Sequence, residues 1–524
     1  MIEIRLRNQE TFPWINFNDC IYIRGYFYDK NNKVLNENLL YKNLSHISCQ
    51  SDLAKFLKKI DGCFSIIILI KNRNTAFIAS DRIRSFPIFY FIHDRKIFIC
   101  DHIEKNDTNF NKNSLSYFEF LHCRYVSGSE TLIDKIYQIQ AGECISLDEK
   151  GISSKKYYSY INKNNTLNDL DFYKKKLQYA LEQTFLKLIE STKNRFLIIP
   201  LSGGLDSRLI ASYLKKCGVN DVICYTYGLR KSKEVKISKN IANDLGYEWH
   251  FINYGEKKWK KWYTDPRMKE YQLFSGNFSS LPHIQDWPAV LELKEKKIIP
   301  DNSVFIPGHA ADFVAGSHIP KKIDLILNKN FESVIDLIIN EHLILSDKIS
   351  QKRNEGFRLD IYRKLSKQIN EISVKNLNDL VSSFEYWDWR ERQSKFIANS
   401  CRVYEFWGYE WRMPFWDIEF INFWNDLPLQ LRLGKFFYKE FLLKENFSEV
   451  FSNCNYKNFD RKNFIYFIKK SFFGKVLSEI HKKFYAYYKF RYIDFISKQD
   501  ILKAYNINSI LIKEYLELIK MKND

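Results

Sequence analysis

The sequence predicts an α/β protein in which a β-rich N-terminal domain precedes a doubly wound parallel sheet carrying helical insertions. Three observations predict it. Strand-like apolar runs recur before residue 150, strand and helix patterns alternate from Phe196 to Ile252, and residues 320–400 repeat apolar positions three and four apart, as in Phe331-Glu-Ser-Val-Ile-Asp-Leu-Ile-Ile-Asn340. With 524 residues, 45% hydrophobic and 16% aromatic, the chain exceeds one ordinary domain and can bury large cores.

In chain order, Cys20-Ile-Tyr-Ile-Arg24 and Gly142 to Leu147 read as strands. The polar, turn-rich Asn162-Lys-Asn-Asn-Thr-Leu-Asn168 follows, and a helix begins near Leu170, which divides the chain into residues 1–165, residues 170–460 and a basic, aromatic helical tail, residues 461–524. An apolar strand, Phe196 to Leu201, runs through Ser202, Gly203, Gly204 and Asp206 into an amphipathic helix that reaches Cys217, where Gly218 holds the position that ends helices. Val222 to Tyr227 is the next strand. A helix over Ser232–Leu245, ended by Gly246, and a strand over Glu248–Ile252 complete the alternation.

The turn at 202–207 carries the chemistry. Where a strand ends and a helix begins, backbone N–H groups and the helix N-terminus converge into an anion cradle, the two glycines admit a phosphate close to the main chain, and the hydroxyls of Ser202 and Ser207 add donors. A carboxylate beside bound phosphates needs a cation between them, so Asp206 reads as a Mg²⁺ ligand. The Lys-Ser/Thr that ends a mononucleotide P-loop is absent. The motif resembles the SGGxDS pyrophosphate loop of ATP pyrophosphatases, which implies cleavage of ATP between its α and β phosphates.

Two further segments are similar to those of the asparagine synthetase family. Glu410-Trp-Arg-Met-Pro-Phe-Trp-Asp417 resembles its ExRxPFxD segment, and Pro307-Gly-His-Ala-Ala-Asp-Phe-Val-Ala-Gly316 resembles SGEGxDExxGG with Gly308, Asp312 and Gly316 kept. Asp61-Gly-Cys-Phe-Ser and Ser80-Asp-Arg-Ile-Arg-Ser-Phe-Pro-Ile-Phe-Tyr90 resemble strands of that family's glutaminase (Ntn) domain. The resemblance implies an ATP-dependent, amide-forming ligase that makes an acyl-adenylate from a carboxylate and transfers the acyl group to ammonia or an amine. Leu201, Ser202, Gly203, Gly204, Asp206, Ser207, Thr226, Gly228 and Gly308 would bind ATP, Asp206 and Asp312 would hold Mg²⁺, and His309, Lys439 and Lys457 would be catalytic. Surface lysines are the competing reading of Lys439 and Lys457.

Departures from the family narrow the expectation. His309 replaces the Glu of SGEGxD and Phe313 replaces the following acid, as in relatives such as lasso-peptide cyclases and β-lactam synthetases, which also vary the first of these positions. The acceptor is therefore aspartate or another carboxylate, such as a sugar uronic acid or a peptide side chain; the alternatives are a nucleotide-binding, non-catalytic relative and an amide synthetase like the peptide and β-lactam cyclases. His309, with an ordinary imidazole pKa near 6.5, is expected to deprotonate the incoming amine, against a structural role in a Gly-rich turn. His283 and His318 have weaker claims. The segment Phe384 to Phe396 is expected either to clamp substrate through Arg390 and Arg392, with Trp387 or Trp389 stacking on a ring, or to satisfy itself through ion pairs with Glu385, Asp388 and Glu391. The chain opens Met1-Ile2-Glu3, without the cysteine that follows Met in glutamine-hydrolysing members, so the N-terminal domain is expected to lack glutaminase activity and a separate glutaminase or an amine substrate to supply nitrogen.

Composition limits the partners. The net charge of +19 comes from Lys spread through the chain without a nucleic-acid recognition motif, so a solvated basic surface is expected. The tail segments Lys469–Lys475 and Lys482–Tyr492 interleave aromatics with cations, which fits either contact with an anionic membrane or packing on the protein. No apolar run approaches the roughly 20 residues of a membrane span. A soluble, cytoplasmic enzyme, with a homodimer as one assembly, is the resulting expectation, because ATP chemistry and scattered cysteines without CxxC pairs fit a reducing compartment.

Overall fold

The computed structural model describes residues 1–451 and 507–519, apart from 105–106, 108–110, 164, 166, 322, 324–325, 327–328 and 344–354. Lys457 and the tail segments 469–475 and 482–492 lie outside the described residues.

The N-terminal part is built on two sheets. A six-stranded sheet takes the order Gly151–Lys156, Glu143–Asp148, Thr75–Ser80, Asp61–Ile70, Ile21–Tyr28, Ile15–Phe17, and a four-stranded sheet the order Ile2–Arg5, Lys96–Cys100, Phe89–His93, Tyr137–Gln138. Strand Asp61–Ile70 is buried on both faces, which is why its sequence is almost continuously apolar rather than alternating. Its Ile67 packs with Ile78, Ile145, Ile97 and Ile99 between the sheets. Phe64, Ile66 and Ile68 turn the other way, against Leu40, Leu44, Leu53 and Leu57 of helices Glu37–Leu44 and Gln50–Leu57.

The second sheet is wholly parallel, in the order Glu248–Asn253, Val222–Gly228, Leu197–Pro200, Val304–Phe305, Glu410–Trp411. Helix Leu170–Ser191 starts at Asp169, whose side chain accepts from Phe172 N–H. Ser232 caps helix Lys233–Asp244 in the same way through Glu234 N–H, and Gly218 and Gly246 follow their helices with φ of 77° and 67°, the left-handed region that only glycine enters freely. The last two strands are two residues each, too short to leave a periodic trace. Through them Pro307–Gly316 and Glu410–Asp417 leave the sheet beside the 202–207 loop, at its carboxyl edge.

Buried charge joins the two parts. Asp61 of the N-terminal sheet pairs with Arg82 at 2.6 Å and with Lys187 of helix Leu170–Ser191 at 3.0 Å, and Lys187 reaches Asp417 at 2.7 Å. Burial opposes the charge on Asp61, yet Arg82 and Lys187 hold its carboxyl below the ordinary range; burial and the charge of Asp61 push Asp417 up to about 7. Arg24 bridges Asp101 at 3.3 Å and Glu405 at 2.9 Å.

The segment after Phe384 belongs to this interface. Helix Leu377–Asp388 widens into a π-helix, Trp389–Ile397, whose side chains are mostly buried. Arg390 pairs with Glu143 at 2.7 Å and bonds Tyr386, so it does not clamp substrate; its partner comes from the N-terminal sheet rather than from Glu385, Asp388 or Glu391. Lys395 and Glu391 pair with each other and together hold both backbone groups of Gly128. Trp389 donates to Arg82 O and Trp387 to Gln368, which removes both from a substrate-stacking role. Of the tail, helix Ile507–Leu518 is described, and its Tyr515 ring packs 5.8 Å from Phe120 and accepts from Phe278 N–H.

Lys187, 2% exposed, neutralises two buried carboxylates at once. Lys187→Met is expected to cost about 3–5 kcal/mol, read as a lower urea midpoint, because it leaves both uncompensated, and Lys187→Met combined with Asp417→Asn should recover part of the loss.

Candidate active site at the carboxyl edge of the parallel sheet

At that edge the 202–207 loop and the 307–312 segment meet around an open cavity of about 1490 Å³, whereas Glu410–Asp417 contributes no residue to its lining. Its walls include Ser202 to Arg208, Thr226, Lys233, Asp286, Pro307 to His309, Asp312, Tyr404, Lys435 and Lys439. Single small-ligand pockets run to roughly 300–1,000 Å³, so there is room for a nucleotide and a second substrate together.

The 202–207 loop is braced from within. Ser207 Oγ accepts from Ser202 N–H at 3.0 Å and lies 3.1 Å from Ser202 Oγ, which in turn accepts from Gly204 N–H at 3.1 Å. Arg208 donates to Gly203 O at 3.0 Å and to Val450 O at 3.2 Å, fixing the loop from behind. Neither Gly203 nor Gly204 has a positive φ, and a Cβ on Gly203 would meet nothing closer than 3.5 Å. Neither φ nor packing requires glycine at 203, whereas a Cβ on Gly204 would lie 3.1 Å from Ser202 Oγ, inside the loop's own hydrogen-bonded turn. Gly308 differs, because a Cβ on it would lie 2.9 Å from Ser207 N, so glycine lets the 307–312 segment pack directly on the loop.

Asp206 and Asp312 face the same cavity from these two segments. Asp206 accepts from Tyr438 Oη at 3.0 Å; burial raises its pKa while Lys435 and Tyr438 oppose the rise. Asp312, with a side chain 55% exposed, pairs with Lys435. The Lys435 ammonium thus stands against both carboxylates, and burial lowers its pKa while Asp206 supports its charge. A Mg²⁺ ion held by one or two carboxylates, phosphates and water fits this donor set, with Lys435 as the cation now at the place. No group of three or more His, Cys, Asp or Glu side chains able to hold a metal occurs among the described residues.

The remaining expected residues divide. Lys439 lines the cavity and donates to Gly434 O at 2.8 Å. Leu201 and Thr226 line it too, but the Thr226 hydroxyl bonds Leu201 O and Ser238 Oγ, both at 2.7 Å, and so ties two strand ends together. Gly228 ends its strand with φ 131° and does not line the cavity. His309 lines it, with Nε2 2.8 Å from Ser400 Oγ. His318 is held by Asp388, and His283, its pKa pushed by burial to about 3, packs on Phe396. Phe313 is buried against Tyr160 and Trp416, which explains an apolar side chain where the family has an acid.

Sequence reasoning missed Lys435, Tyr438, Asp286, Tyr404 and Ser400. Gly434, with φ 60°, marks the turn that presents Lys435 one helical turn before Lys439, and that glycine was the available signal. Asp286 accepts from Tyr404 Oη at 2.8 Å, and burial raises its pKa against the hydrogen bonds of Tyr227 and Tyr404.

Fold and site together define a two-part α/β protein whose parallel sheet presents a phosphate-type loop and two carboxylates to one cavity. Residues 197–448 match the family model for asparagine synthase, and residues 46–158 match that for a glutamine amidotransferase domain. The chain belongs to the asparagine synthetase family. These matches support an ATP-dependent, amide-forming C–N ligase acting on small molecules with an ammonia or amine donor. No curated protein matches the chain. Among solved structures, it is similar to the NH3-dependent NAD synthetase from Campylobacter jejuni subsp. jejuni NCTC 11168 in complex with the nitrate ion, at 14% identity, over 39% of this chain and 95% of that one, with a TM-score of 0.19. No helix among the described residues is long and apolar enough to cross a membrane.

The imidazole of His309 departs from its expected value. The residue is partly exposed where it lines the cavity, and burial lowers its pKa from 6.5 to about 4. The unfolded chain therefore binds a proton at this residue between about pH 6.5 and about pH 4 that the folded chain refuses, so His309 makes stability fall as pH falls through that window. An NMR titration should place the His309 midpoint near 4, and His309→Gln should reduce the acid sensitivity of the unfolding midpoint; a midpoint near 6.5 would refute the burial account.

Proposed function

We propose that the protein activates a substrate carboxylate as an acyl-adenylate, releasing pyrophosphate from ATP, and passes the acyl group to ammonia or an amine with release of AMP. The observation that carries this reading is the convergence of the 202–207 loop, Asp206, Asp312 and His309 on one cavity. In it, the loop backbone and the Ser202 and Ser207 hydroxyls hold the pyrophosphate oxygens, with Gly204 N–H and the two hydroxyls turning from their bonds within the loop onto the ligand. Bound Mg²⁺, held by Asp206 and Asp312, supplies charge neutralisation of the phosphates. Lys435 and Lys439 offer two further cations to the same oxygens, and Lys457 is a third in this proposal.

The carboxylate attacks the α-phosphorus, the α–β bridging bond breaks, and pyrophosphate leaves. The carboxylate is already ionised, so this step needs no base. The amine then adds to the acyl carbon, and His309, neutral at pH 7 because its pKa is low, has a lone pair ready to take the proton released. The size of the cavity and the replacement of the family's acids by His309 and Phe313 support an acceptor other than aspartate alone, including a uronic acid or a peptide carboxylate.

Asp206→Asn and Asp312→Asn are each expected to abolish carboxylate-dependent pyrophosphate formation, assayed over a panel of aspartate, glutamate, uronic acids and peptides, while circular dichroism stays native, since each removes a cavity-facing carboxylate. Release of ADP instead would exclude adenylation.

In this proposal the N-terminal domain is a structural partner and nitrogen arrives as ammonia or an amine. Its buried thiols support that: burial pushes Cys144 up to about 12 and holds Cys63, Cys100 and Cys123 above their ordinary value, so each stays a protonated, weak nucleophile. The purified protein should form product with ammonium chloride and release no glutamate from glutamine; stoichiometric glutamate would overturn the assignment.

A further inference from the structure

His309 is held by a serine that stands behind the cavity wall, and counting hydrogens at that contact decides which ring nitrogen carries the proton. Ser400 Oγ lies 2.7 Å from Ile397 O and 2.8 Å from His309 Nε2. A hydroxyl has one hydrogen and two lone pairs, whereas a backbone carbonyl only accepts. The Ser400 hydrogen therefore goes to Ile397 O, and the contact with His309 runs the other way, with Nε2–H donating to Oγ.

We propose that Ser400 is a positioning residue that fixes His309 as its Nε2–H tautomer and thereby leaves the Nδ1 lone pair facing the cavity as the acceptor for the proton of the incoming amine. Nδ1 has no hydrogen-bond partner among the described residues and is not one of the sealed, orphaned atoms of the interior, so it meets the cavity that His309 lines. The opposite arrangement, with Ser400 donating to Nε2, would strip Ile397 O of its side-chain donor and turn an Nδ1–H toward the substrate. That group cannot accept a proton. The base role rests on the function proposed above; the tautomer does not.

The backbone that carries Ser400 is fixed independently of the cavity. It follows on the π-helix Trp389–Ile397, which the Arg390–Glu143 pair and the bonds of Glu391 and Lys395 to Gly128 anchor to the N-terminal part. Next to it, Asn399 donates to Ser275 O at 3.0 Å.

The test is a long-range ¹H–¹⁵N spectrum of the full chain labelled with ¹⁵N-histidine, with His309 assigned by difference against His309→Gln. The wild type and Ser400→Thr, which keeps the hydroxyl, should show a protonated Nε2 and a bare Nδ1, and Ser400→Ala should shift both nitrogens toward an average of the two tautomers. With hydroxylamine as the amine probe and the carboxylates of the panel, amide formation should fall about 10-fold or more in Ser400→Ala and recover in Ser400→Thr, while carboxylate-dependent ATP–pyrophosphate exchange stays unchanged. A protonated Nδ1 in the wild type, an unaltered spectrum in Ser400→Ala, or equal loss of exchange and amide formation would each overturn the proposal. Absence of exchange with every carboxylate in the wild type would instead overturn adenylation and leave the tautomer result standing.

Discussion

Charge buried between the two halves of the molecule is the constraint on which the site depends. Arg24 with Asp101 and Glu405, Lys187 with Asp61 and Asp417, Arg390 with Glu143, and Lys364 with Glu119 all cross from one part to the other with little or no exposure. Such pairs recover the cost of desolvation only in one geometry, and an apolar contact of equal area would tolerate sliding where these do not. Glu405, Asp417 and Arg390 belong to the stretch that returns from the interface to the cavity. The N-terminal half thus sets the position of the far wall of the site, whatever chemistry it performs itself.

Much of this was legible in the sequence where local rules decide the outcome. Ser232 and Gly246 bracket their helix as caps must, and the apolar run at Leu197–Pro200 leads into the glycine loop as read. What escaped was decided by tertiary contact. Val304–Phe305 and Glu410–Trp411 are strands only because the central strand and its neighbour pair with them. For Arg390 a substrate clamp and an internal ion pair both stood open, because a surplus of Arg, Glu and Trp reads the same whether the partner is a ligand or a strand 247 residues away. His309 lines the cavity, but its pKa depends on burial that no motif encodes.

The cavity gathers two kinds of group. The 202–207 loop brings backbone groups and hydroxyls that suit anionic oxygens, while Asp286, Tyr404 and His309 add acidic, phenolic and imidazole groups to the same lining. Lys435 pairs with Asp312 and supports the charge of Asp206, so one cation serves both carboxylates.

The π-helix Trp389–Ile397 has a consequence for the lineage of the chain. A helix of wider pitch accommodates one residue more than an α-helix spanning the same gap, and removing that residue would turn everything downstream by about 100°. The stretch is anchored at its start by Arg390 and Trp389, so the rotation would fall on Ala398 to Phe406. Length in this segment is therefore coupled to the cavity wall: single-residue deletions here should be rarer among homologous chains than substitutions, and those that occur should travel with changes at Ser400, Tyr404 and Glu405 together.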